Sequence, residues 1–316
     1  MAMLKETVFS ARFDEPMNPR KNLLWCATFQ LAWDAFGRGA DIKLDGSPEL
    51  ERSLNRHLVS ASDIDEASYI AMAGFGRDKI LDRVRAALKE KFGATGSLLP
   101  SNVRDIDILA YAYLYKNLEF ATPFKELEPR AWGNEIVKVF GITNEGDARV
   151  NRERRKQVKV LHYASDADFV IELLTQSGDD RLILARRPPA RTLQETVTAV
   201  LQTLGPASDT NDDEPLIVPQ ADFDLTHRFS ELEGRRLLNK GLEEYVIGAA
   251  VQNIRFRLNE KGAQLKSEAA LVAAGCGPRK VRVFDLCAPH LLMILRRGAQ
   301  NPMFAMWRAD AELAVK

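Results

Sequence analysis

"QNIRFRLNEKGAQLKSEAALVAAGCGPRKVRVFDLCAPHLLMILRRGAQNPMFAMWRADAEL", residues 252–313, changes its period along its length. Ile254, Phe256 and Leu258 alternate with Asn253, Arg255 and Arg257, so the first part reads as a strand with one buried and one wet face. Asn259, Glu260 and Gly262 end that pattern. The next run admits two readings. With a period of two, Ala263, Leu265, Ser267, Ala269 and Leu271 share one face; as a helix, "KSEAALVAA" is rich in strong helix formers and Gly275 closes it. Beyond Pro278, "VRVFDL", "PHLLMIL" and "PMFAMWR" are short apolar runs of the kind that form buried strands.

The strand pattern extends upstream to about residue 108. "ILAYAYLYK", "QVKVLHYA", "DFVIELLT", "RLILAR" and "EPLIVPQ" are all short, and "ILAYAYLYK" is apolar on both faces, as in a central strand covered on both sides. "GPASDTNDDEP", residues 205–215, reads as a solvated loop, and the basic diproline stretch "ARRPPAR" as an exposed turn. The N-terminal third is different. "RDKILDRVRAALKEKFG" places Ile80, Leu81, Val84, Leu88 and Phe92 on one face of an amphipathic helix over residues 77–93 that a glycine closes. "NLLWCATFQLAWDAF", residues 22–36, is apolar on nearly every side and is expected to be a helix in the middle of the protein. No internal repeat is visible.

A chain of 316 residues with 46% apolar composition can bury a substantial core, and one folded unit, residues 1–316, is expected. Its 44 basic residues cancel its 44 acidic ones, so no overall field draws it to nucleic acid or to anionic membranes. The three cysteines, Cys26, Cys276 and Cys287, form no C-x-x-C pair and fit a reducing compartment. The charged N-terminus contains no apolar run of signal or membrane-span length, so the expected location is the cytoplasm.

Cys26, preceded by a tryptophan at the start of an apolar run, invites a papain-like reading with His290 as base and Asn301 as the orienting amide, since the three occur in that chain order. The glycine-rich approach to such a cysteine is absent, and His290 opens an apolar strand. A small buried hydrophobe is the plainer reading of Cys26. His57, His162, His227 and His290 are scattered without ligand spacing, and "GFGRDK" and "GRGAD" lack the pattern of a phosphate loop, so no metal and no cofactor is implied.

The C-terminal stretch resembles the end of the serpins: an alternating strand, a hinge of the form Asn/Asp-Glu-x-Gly, a long reactive loop, a Phe-x-x-x-x-Pro strand and two final strands. Asn259, Glu260 and Gly262 match the hinge, Phe284 and Pro289 the signature after the loop, and Pro302, Met303 and Phe304 the last strand. "LLPSNVRDIDILAYAYLYKNLEFATPF", with Phe120 and Phe124, "VKVFGI", "DFVIELLTQSGDDRLILARRPP" and "PQADFDLTHRFSEL" are similar to serpin segments in the same order. The resemblance implies an α+β fold with a main antiparallel sheet, smaller sheets and a buried N-terminal helix on which Cys26 stands where a serine is usual. It also implies a reactive-loop-like segment over 262–282, with Glu260, Gly262 and Ala263 at its hinge and Cys276, Gly277, Arg279 and Lys280 as the candidate bait region.

Several positions depart from the family pattern. The helix over 77–93 corresponds either to the helix that lies across the main sheet or to an earlier one. In inhibitory serpins a serine, an asparagine and a histidine form a polar cluster under the opening strands; the matching positions here are Cys26 or Phe29, Ala112 and Gln252. Replacement of that cluster implies a sheet not tuned to open. Leu265 and Leu271 are large for an inserting face. The expected role is therefore non-inhibitory, binding or regulatory, with a protease or another protein as partner. Protease inhibition by loop insertion is the alternative, and the papain-like peptidase a second one.

Overall fold

Asn22 to Cys26 form a strand, and the helix begins only at Thr28. A short run that is apolar on every side suits a fully buried strand as well as a buried helix, and periodicity alone does not separate them. Pairing decides it: this run lies between two other strands, parallel to Thr7–Ser10 and antiparallel to Phe304–Arg308. The fully buried Asn22 fastens it, its Oδ1 accepting from the Ala309 amide (2.7 Å) and its Nδ2 donating to Asp310 (2.7 Å).

The computed structural model describes residues 4–38, 40–93, 99–117, 119–176, 178–261 and 281–316. The N-terminal part contains β1 (Thr7–Ser10), β2 (Asn22–Cys26), α1 (Thr28–Gly37), α2 (Glu49–Leu54), β3 (Tyr69–Phe75) and α3 (Ile80–Phe92). Strands then dominate: β4 (Asp107–Asn117), β5 (Lys125–Trp132), β6 (Glu135–Ile142), α4 (Ala148–Lys156), β7 (Val158–Ser165), β8 (Asp168–Leu174) and β9 (Asp180–Arg186). The remainder is α5 (Leu193–Gln202), β10 (Ser208–Asp209), β11 (Leu216–Pro219), β12 (Ala221–Arg228), β13 (Val246–Leu258), β14 (Phe284–Asp285), β15 (His290–Arg296) and β16 (Phe304–Arg308).

Among the described residues the strands form an eight-stranded sheet, β1-β2-β16-β15-β9-β8-β7-β10, and two four-stranded sheets, β14-β11-β6-β5 and β12-β13-β4-β3. The β12-β13-β4-β3 sheet is mixed, not purely antiparallel, because β13 and β4 run parallel at its centre. Parallel neighbours carry helices on both faces, and this pair does. Ile108, Ala110, Ala112, Ile247 and Ala250 pack with Phe29 and Trp33 of α1. On the opposite face Leu109, Tyr111, Ala249 and Val251 pack with Ile80, Val84 and Leu88 of α3. The 77–93 segment is therefore the helix lying across this sheet, with Gly76–Asp78 a single 3₁₀ turn before it.

Two helices carry little signal in the sequence. Six of the nine residues of α4 are charged, yet its Arg155 is buried and donates to the Glu214 carbonyl (2.5 Å). α5 starts at Thr192, whose hydroxyl caps the Glu195 amide (3.2 Å), and buries Leu193, Val197 and Val200.

Candidate functional site

The seam between β4 and β13 runs in parallel register from Val246 opposite Asp107 to Arg257 opposite Asn117. It slips once, at Gly248, where a Cβ would stand 2.7 Å from that of Asp107. β13 ends at Leu258, so the loop-like segment leaves directly from one of the two seam strands.

Its N-terminal root is held at Glu260, whose carbonyl accepts from the Phe124 amide (2.8 Å) and whose carboxylate accepts from Gln220 (3.2 Å). The C-terminal root is held harder. Arg282 grips Glu214 through Nε (2.6 Å) and Nη2 (2.8 Å), and Val283 donates to Asp166 (3.1 Å). Burial alone would raise the pKa of Glu214; hydrogen bonds from Arg282 and Asn211 outweigh it and hold the carboxyl below its usual value. Gly262, Ala263, Leu265, Leu271, Cys276, Gly277, Arg279 and Lys280 lie outside the described residues.

Under the seam sits a polar cluster, and it includes a residue the sequence reading missed. Gln252, fully buried, donates through Nε2 to the hydroxyl of Thr28 (2.9 Å) and to the carbonyl of Cys26 (3.2 Å). The carbonyl can only accept, which fixes the orientation of the amide. The Cys26 thiol lies 3.2 Å from the same hydroxyl. Phe29, the other position considered, points instead into the apolar core against Phe229, with ring centroids 4.4 Å apart. Thr28 lies between the two positions weighed, two residues after Cys26 and one before Phe29, and it is the first residue of α1.

This cluster is one-sided. Gln252 is in register with Ala112 of β4, which has no polar atom to offer, and the Oε1 of Gln252 is buried without a partner among the described residues. The polar contacts therefore tie β13 to the start of α1 and leave β4 attached through its backbone ladder and apolar packing. Gln252 thus has polar partners on the α1 side and none at Ala112.

Cys26, His290 and Asn301 do not assemble into a triad. Cys26 faces Phe304 and His290 faces Arg308 on opposite flanks of β16, separated by four residues or about 13 Å along the strand. Burial pushes the Cys26 thiol up to about 11 and His290 down to about 3, the nearby Arg308 charge adding to the latter. Asn301 lies at the other end of the β15–β16 hairpin, donating to the Leu58 carbonyl (3.1 Å).

No family model and no curated protein matches the chain. Solved structures do. Serpin48, a highly specific serpin of the insect Tenebrio molitor, aligns with a TM-score of 0.52 at 14% identity over 90% of this chain and 91% of that one. Maspin aligns with a TM-score of 0.60 at 12% identity over 92% of both chains. Uncleaved ovalbumin aligns with a TM-score of 0.54 at 11% identity over 91% of this chain and 93% of its own. The chain has the fold of the serpins.

Proposed function

We propose that this serpin-like protein acts by binding or regulation, presenting its loop segment to a protein partner without trapping a protease. The observation that carries this reading is the one-sided cluster: Ala112 stands opposite Gln252, so no side-chain hydrogen bond from Gln252 crosses the seam. A sheet that must stay shut until triggered needs a latch between the strands that separate. Here that latch is missing on β4, and Leu265 and Leu271 are bulky for a strand that would enter the seam.

One observation favours inhibition by insertion as a second reading. β4 and β13 are parallel, and the segment leaves from the end of β13, so a chain folding back between them would run antiparallel to both and pair with each. Trypsin separates the two. Cleavage after Arg279 or Lys280 is expected to leave the thermal midpoint nearly unchanged and to leave no denaturant-resistant adduct. A large rise in midpoint together with a trapped protease would overturn the non-inhibitory reading.

A further inference from the structure

Arg308, on β16, is fully buried, and only its Nη1 has a partner among the described residues, the Pro219 carbonyl at the end of β11 (3.0 Å). Its Nε and Nη2 are buried and have no hydrogen-bond partner among the described residues. These two nitrogens form the edge of the guanidinium that grips a carboxylate side-on. Elsewhere in this protein that edge is occupied: Arg104 holds Asp107 with it, Arg191 holds Glu195, and Arg282 holds Glu214. Leaving a buried charge with an open fork is costly unless something fills it.

A second orphan stands beside the first. His290 is the register partner of Arg308 and is likewise fully buried. Its Nδ1 donates to the Ala288 carbonyl (2.8 Å), so Nε2 carries a lone pair, and that atom has no partner among the described residues. Both side chains rest on Trp132: the guanidinium carbon lies 4.8 Å from the ring centroid, and the imidazole stacks at 5.5 Å. Trp132, Cys287 and Ala288 also line a cleft of about 690 Å³. Neither Arg308 nor His290 lines that cleft; Trp132, the last residue of the β5 edge strand, touches both the cleft and the two orphans.

We propose that Arg308, His290 and Trp132 form a binding site for a small carboxylate bearing a hydroxyl on the neighbouring carbon. The carboxylate takes the Nε–Nη2 fork, the hydroxyl donates to His290 Nε2, and Trp132 covers the pair. The site is independent of the loop and of the function proposed above.

Glycolate is the probe, with acetate and chloride as comparisons at constant ionic strength. The thermal midpoint of the intact protein is expected to rise with the logarithm of glycolate concentration, at lower concentrations than for acetate and not at all for chloride. Arg308→Lys, which keeps the charge without the fork, should lose the response. Because that variant can fail to fold, the Arg308 Nε–H resonance and Trp132 fluorescence of the unmodified protein are followed in the same titration, and both should shift saturably. Absence of any saturable change in the unmodified protein, or an undiminished response in folded Arg308→Lys, would overturn the proposal and leave the fork to a buried water.

Discussion

Adding one oxygen at Ala112 tests the one-sided cluster directly, because the structure sets the sign of the effect. Ala112 is fully buried on β4 beside Phe29, in register with Gln252 on one side and Ala71 on the other. A serine there brings a hydroxyl toward the unpartnered Oε1 of Gln252. If the bond forms, the net gain is about 1 kcal/mol; a buried hydroxyl with no partner costs about 1 to 3 kcal/mol. We expect Ala112→Ser to stabilise by about 1 kcal/mol. Ala112→Asn should destabilise by about 1 to 3 kcal/mol, since it adds an acceptor and a second donor without partners and more volume than the Phe29 contact admits. Urea midpoints at unchanged m-value measure both, and repeating the serine substitution in a Gln252→Leu background isolates the contact. The gain should vanish in that background. Equal effects of the serine with and without Gln252 would refute the cross-seam contact and the reading built on it.

The remaining expectations concern the buried thiol, acid and the loop root. Cys26 should resist a thiol reagent in the native protein while labelling readily in denaturant, as mass spectrometry would show, since burial keeps it protonated at neutral pH; rapid native labelling would contradict its place in the core. His290 has a folded pKa of about 3 against an ordinary 6.5, so the unfolded chain binds its proton first. The stability this represents is complete above about pH 6.5 and is lost as pH falls toward 3, at up to about 1.4 kcal/mol per pH unit. Stability measured against pH should therefore be less acid-sensitive in His290→Phe over that window, and an unchanged acid limb would count against it. Glu214→Gln leaves Arg282 without its carboxylate in a site where the glutamate side chain is 1% exposed, and should cost about 3 kcal/mol by urea unfolding.

Strand identity was legible wherever a run alternated or was bounded by turn residues, and β4, β7, β8, β9, β15 and β16 fall within a residue or two of their expected positions. The stretch from Asn22 to Phe36 was not, because burial on every side erases the period that separates strand from helix. α4 and α5 went unread for opposite reasons. α4 has hardly any apolar stripe, its buried side chains being the polar Asn151 and Arg155, whereas α5 announces itself only through a threonine cap and a short stripe. Of the candidate site, Gln252 and Ala112 were singled out only through the resemblance to the serpins, and the structure adds the register that makes them neighbours across the seam. Thr28 and the Arg308–His290–Trp132 group could not be read, since each depends on contacts between segments far apart in sequence.

The unequal roots decide what a cut in the loop can do. Arg282 is bolted to Glu214 and stacked over Phe284 (5.5 Å), so cleavage after Arg279 or Lys280 leaves the C-terminal side fixed. The N-terminal side remains attached to β13 through Asn259 and Glu260, held by one amide and one glutamine. Any strand entering the seam must therefore come from that side. Entry breaks one backbone ladder, between β4 and β13, and forms two, so hydrogen bonding alone favours it. What opposes it is fit: the strand would have to pack between α1 and α3, against Phe29 and Trp33 on one face and Val84 and Leu88 on the other. A thermal midpoint unchanged by the cut would thus report on side-chain packing in the seam, not on any want of backbone partners, and replacing Leu265 and Leu271 with alanine should then be the substitution that lets the midpoint rise.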